Sequence, residues 1–100
     1  MHSISNQLVL VGVSQKTALD LIDLKSEQIS ERGDEACEQY FEGERSIDLW
    51  SFCIEAQGDL AALRFRVENG IALEQDQMRM LKNIADSSAL KEASENHTNL

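Results

Sequence analysis

Cys53 is the side chain of this chain best equipped for covalent chemistry, and it stands in the run Ser51-Phe52-Cys53-Ile54-Glu55. A thiolate is a strong nucleophile and redox group even as a minority species. Its sequence neighbours work against that role. Phe52 and Ile54 are apolar, and the carboxylate of Glu55 disfavours a second negative charge wherever the two groups are close. Cys37 makes neither a Cys-x-x-Cys pair nor a Cys/His cluster with Cys53, so reduced thiols are expected and no metal site is. The two histidines, His2 and His97, stand near the ends of the sequence, which leaves its centre without an imidazole base or ligand.

The elements that would position Cys53 are read from the spacing of apolar residues. Leu8-Val9-Leu10-Val11 is short, apolar and rich in β-branched residues, and Gly12 interrupts it, which predicts a first, buried strand. Residues 18–28 fit no single period and are read as irregular. Gly33, Ala36, Cys37, Tyr40 and Phe41 then recur at helical spacing, predicting an amphipathic helix over 31–42 with Ser30 as its N-cap. Ile47, Leu49, Trp50, Phe52 and Ile54 predict a second strand, and Gln57-Gly58-Asp59 a turn. Leu63, Phe65 and Val67 alternate with Arg64 and Arg66, the period of a half-exposed strand that would close a hairpin. Trp50 could serve as core or as an interface anchor. Met78, Leu81, Ile84, Ala85 and Leu90 predict a final helix over 73–92. The order β-α-β-β-α gives an α/β (α+β) fold, a small two-layer sandwich at 7–93, with disordered ends at 1–6 and 94–100.

Composition limits the functions available. One hundred residues with 42% apolar content suffice for one modest core, and no apolar run is long enough to be a signal sequence or a membrane span. A cytoplasmic protein is therefore expected, with no membrane association. Eighteen acidic against nine basic residues give a formal charge of −9. That charge repels phosphate backbones, so direct nucleic-acid binding is not expected, and it attracts basic protein surfaces.

The segment Leu8-Val-Leu-Val-Gly-Val-Ser-Gln-Lys-Thr-Ala18 resembles the opening of the glutamyl-tRNA reductase catalytic domain, where a strand runs into Gly-x-x-His-Lys-Thr-Ala. Ser51-Phe52-Cys53 is similar to the Ser-Thr-Cys-Asn-Arg motif of that family, and residues 77–92 match a later family helix at Asp86, Ser87, Leu90 and Glu92. The resemblance implies the family's N-terminal fold in shortened form, with Cys53 in the place of its nucleophile. Lys16, Thr17, Ser51, Gln77 and Ser87 become candidate ligand-binding positions. It also implies lost chemistry. Gln15 and Gln77 stand where the family has His, Ile54 and Glu55 stand where it has Asn and Arg, and no Gly-x-Gly-x-x-Gly stretch for a nicotinamide cofactor is present. No catalytic residue is assigned beyond a vestigial Cys53, and no cofactor or metal is expected.

Three functions follow as expectations. The first is a non-catalytic, regulatory or binding relative of the reductase domain, linked to tetrapyrrole (haem) biosynthesis through another protein or a small ligand. The second is an acidic inhibitor, a nucleic-acid mimic of the anti-defence type, that occupies a partner's basic groove. It requires carboxylates concentrated on one face. The third is a thiol-dependent activity at Cys53.

Overall fold

The computed structural model describes residues 3–98, with side chains described through Ser87. It contains four helices: α1 over Ile4–Val11, α2 over Gln15–Phe41, α3 over Asp48–Asn69 and α4 over Gln75–Thr98. No strand occurs among the described residues, so the expected α/β sandwich is replaced by an all-helical fold.

The physical reason lies in a period of three to four residues rather than two. Leu49, Cys53, Ala56, Leu60, Leu63 and Val67 recur every three or four residues, and Cys53, Leu60, Leu63 and Val67 are buried on that stripe. The two expected strands at 47–54 and 63–67 and the turn at 57–59 are therefore one helix. Phe65, which alternation placed beside Leu63 and Val67, points the other way and is 59% exposed. Ala18, Ile22, Ile29, Gly33, Ala36 and Tyr40 form the matching stripe of α2, which runs unbroken through the supposedly irregular 18–28 and past Ser30, an interior residue rather than a cap. The chain contains no Pro, so nothing in its backbone chemistry forces a break in either long helix. The first strand becomes α1, with Ile4, Leu8 and Val11 on its inner side. The helix expected over 73–92 is α4, which begins two residues later and continues to Thr98.

Helix ends are set by side chains and glycines. Ser3 accepts from the backbone N–H of Asn6 at 3.3 Å and caps α1; Ser14 accepts from that of Thr17 at 3.1 Å and caps α2. At the start of α4 the Gln77 side chain accepts from the backbone N–H of Glu74 at 3.0 Å, the reaching-back half of a capping box. The first three helices end where Gly12, Gly43 and Gly70 take positive φ, and backbone bonds such as Ile71 N–H to Arg66 C=O, 2.8 Å, close the terminal turn.

α2 and α3 form an antiparallel hairpin. α4 packs across α2, and α1 packs on α4. One core joins all four helices at the end of the hairpin holding the start of α2: Leu8, Ile22, Leu63, Val67, Leu73 and Leu81 are among its members. Gln7 locks α1 into it. Its buried amide donates to the Leu73 carbonyl at 2.9 Å and accepts from the Leu73 N–H at 2.7 Å. Gln15 likewise donates to the Val67 carbonyl at 2.9 Å, adding a closer partner to an acceptor at the end of α3 that the Gly70 N–H reaches only at 3.4 Å.

The other end of the hairpin is thinner. Gly33 lets α3 approach closely: a Cβ built on it would lie 3.3 Å from the Cβ of Cys53. Beyond that contact Tyr40, Phe41 and Trp50 cluster at the tip, with ring centroids 5.4 to 6.2 Å apart. The radius of gyration, 15.8 Å, exceeds the roughly 13 Å of a compact chain of this length. The extents of 48 × 41 × 18 Å describe a slab, and a slab carries broad outer faces relative to its core.

Candidate functional site

Cys53 sits on the inner stripe of α3, is 3% exposed and packs against Gly33. A nucleophile needs access to its substrate, and this thiol is shielded by the helix it faces. Cys37 is half-buried, and both cysteines are free thiols.

The candidate ligand positions do not converge. Lys16 is exposed in the first turn of α2, whereas Gly33, the neighbour of Cys53, lies about 26 Å further along that helix at 1.5 Å per residue. The Thr17 hydroxyl accepts from Ser14 Oγ at 3.0 Å and belongs to the cap. Ser51 is exposed in the first turn of α3, on the hairpin's distal arm. Gln15 and Gln77, which stand where the reductase family has His, both act as helix-end partners here. Ser87 lines a shallow hollow of about 190 Å³ with Leu21, Leu24 and Gln28. The reductase-like motifs require strands running into loops, and at 8–11 and 48–54 the backbone is helical, so the geometry that would make them a site is not formed.

One cleft of about 310 Å³ lies between the hairpin and α4. Ile29, Phe52, Leu60, Met80 and Ile84 line it with apolar surface, and Lys25, Glu55 and Asp59 stand among its walls. It suits an apolar group rather than acid–base chemistry. Among the described residues no cluster of three His, Cys, Asp or Glu side chains is arranged to hold a metal ion, and no helix is long and apolar enough to cross a membrane.

The feature that sequence reading missed is the outer face of α2. Asp20, Asp23, Glu27, Glu31, Asp34, Glu35 and Glu38 fall within an arc of about 120° at helical spacing, opposite the buried stripe. All seven are exposed. They span about 27 Å of helix, one carboxylate per roughly 4 Å. Among the described residues only Asp23 is drawn into an ion pair, with Arg64 at 2.7 Å. Arg64 also reaches Glu68 at 2.7 Å, and the Asp23 hydrogen bond and charge, followed by the charge of Glu68, hold its guanidinium above the usual arginine range. Leu24 and Phe41 lie on or beside the same arc, and Phe41 is 75% exposed. The signal was present in the spacing. Dividing 18–41 into an irregular segment and a separate helix hid its continuity.

No family model, curated protein or solved structure matches this chain.

Proposed function

We propose that this protein is a non-catalytic binding protein that presents the carboxylate face of α2 to a basic surface on a protein partner. The observation that carries the reading is the single-sided arrangement of seven carboxylates on one rigid helix. A helix of this length fixes their spacing, so the charge acts as a pattern as well as a total. Long-range attraction raises the encounter rate, and exposed Leu24 and Phe41 offer apolar anchors once the surfaces meet.

The spacing favours one form of this reading. One charge per roughly 4 Å is close to the roughly 3.4 Å axial spacing of the phosphates along one strand of a duplex. The face therefore suits competition for a basic groove that holds one phosphate backbone, and a bound single strand is the simplest such competitor. The reductase-linked reading has no comparable geometric support, because its motifs required strands at 8–11 and 47–54.

Displacement of a labelled oligothymidine from a basic single-strand-binding domain tests the proposal. The native chain should displace it, and the combined Asp20→Asn, Glu27→Gln, Glu31→Gln and Asp34→Asn variant should do so at least tenfold less well. A control with equal charge loss, Glu44→Gln, Asp48→Asn, Asp59→Asn and Asp76→Asn, should retain most of the effect. Equal weakening of both variants would show that total charge, not the α2 face, is responsible, and failure of the native chain to displace the strand would remove the single-strand form of the reading.

A further inference from the structure

α3 and α4 both pack on α2 but scarcely meet each other, and the cleft of about 310 Å³ opens between them. Leu60 and Ile84 in its walls belong to the core, whereas Phe52 is 64% exposed, so the cleft runs from the core out to solvent. Ile29 of α2 and Met80 of α4 add to its apolar lining. A volume at the lower end of the roughly 300–1,000 Å³ of ligand pockets, walled by three helices, fits a small molecule.

Charge is distributed unevenly around it. Asp59 and Met80 also line an adjoining hollow of about 240 Å³, whose other walls include Glu74 and Asp76. The stretch of α3 that borders the cleft and this hollow, Phe52 to Ala62, spans about 15 Å. Glu74 is held by Arg66 at 3.4 Å, but Glu55, Asp59 and Asp76 enter no ion pair among the described residues. Lys25, the cation of the cleft, stands on α2 and borders the hollow beside Ser87, not the one beyond Asp59. Apolar walls therefore lead to carboxylates that have no cationic partner. The carboxylates attract a cation, and the apolar cleft beside them selects an organic one.

We propose that the cleft binds a small organic cation with an apolar body of phenylalkyl size and a single ammonium group. The body lies among Ile29, Leu60 and Ile84, and the ammonium reaches Asp59, where the cleft meets the acidic hollow. A primary ammonium carries three donors, so Glu55, one turn before Asp59 on α3, can share it. An anion of the same shape is repelled by those carboxylates and by a chain of formal charge −9, and a neutral molecule leaves them unused. The carboxylates involved belong to α3 and α4, so the site stands apart from the α2 face proposed above.

Titration of 4-phenylbutylammonium into the native chain in about 0.15 M salt, followed by NMR, should shift the Met80 methyl and Asn83 side-chain amide signals saturably. 4-Phenylbutyrate should bind at least tenfold more weakly, and 4-phenylbutanol at least threefold. The combined Glu55→Gln and Asp59→Asn variant, changed only at exposed positions, should weaken the amine at least fivefold and leave the alcohol within twofold. Equal charge loss on α2, Asp20→Asn with Glu27→Gln, should leave the amine within twofold. Ala56→Leu, which narrows the cleft, should weaken amine and alcohol alike with circular dichroism unchanged. Four results would each overturn the proposal: no saturable shift, an alcohol that binds as tightly as the amine, equal weakening by the two charge variants, or Met80 shifts that follow protein concentration without ligand and so assign the cleft to a second copy. Strand displacement reads the α2 face and the titration reads the cleft, so failure of one is distinguishable from failure of the other.

Discussion

At the scale of single residues, side chains that invited chemical readings are occupied by structural ones. Gln15 and Gln77 serve helix ends, and Gln7, which invited no chemical reading, does more than either, because its amide replaces the missing backbone partners of Leu73 in a buried site. Gln7→Ala leaves the Leu73 N–H and carbonyl unpaired and should lower stability by about 2–3 kcal/mol, read as a reduced urea midpoint with faster exchange of the Leu73 amide. Unchanged exchange at Leu73 would show that the bond is dispensable. Cys53 makes a second test. Its burial against Gly33 should slow alkylation in the folded protein by at least tenfold relative to urea-unfolded chain, with Cys37 modified first. Rapid modification of native Cys53 would restore the thiol-dependent reading.

At the scale of elements, the α2–α3 hairpin decides how surface is distributed. Its closest approach is Gly33 against Cys53, and both Cβ positions are fixed by helical backbone, so neither can swing aside. Gly33→Leu should therefore cost about 1–3 kcal/mol through overpacking, despite the better intrinsic helix propensity of Leu. Phe41→Ser, by contrast, removes an exposed side chain and should change stability by less than about 0.5 kcal/mol. Thermal unfolding of the two variants compares them directly; equal losses would mean that the aromatic tip, not the Gly33 contact, holds the distal arm together. Little of this scale is legible in the sequence: Gly12, which interrupts the first apolar run, does end α1, but the expected cap Ser30 lies inside α2, and the three expected strands at 8–11, 47–54 and 63–67 fall in helices.

At the scale of the whole molecule, a slab with formal charge −9 must tolerate its own repulsion. With carboxylates crowded along α2 and few ion pairs among the described residues, screening should stabilise the fold. The midpoint of thermal unfolding should rise by several degrees between about 10 mM and about 500 mM NaCl, and by less in the variant neutralised along α2. A midpoint indifferent to salt would show that the acidic face exerts little strain.

The sequence by itself determined the charge, the absence of proline, the free thiols and the periodic final helix. Tertiary structure decided which period each ambiguous segment obeys. Leu63-Arg64-Phe65-Arg66-Val67 alternates as a strand would, yet it also holds an i, i+4 pair, and local propensity separates those readings by less than packing does. The stripe from Leu49 to Val67 meets the stripe from Ala18 to Tyr40 only when both are helical, and burying them together outweighs the β preference of individual residues. The same choice settled the site. Once α2 is one helix its carboxylates share a face, and once α3 is one helix Cys53 turns inward and Phe65 turns out.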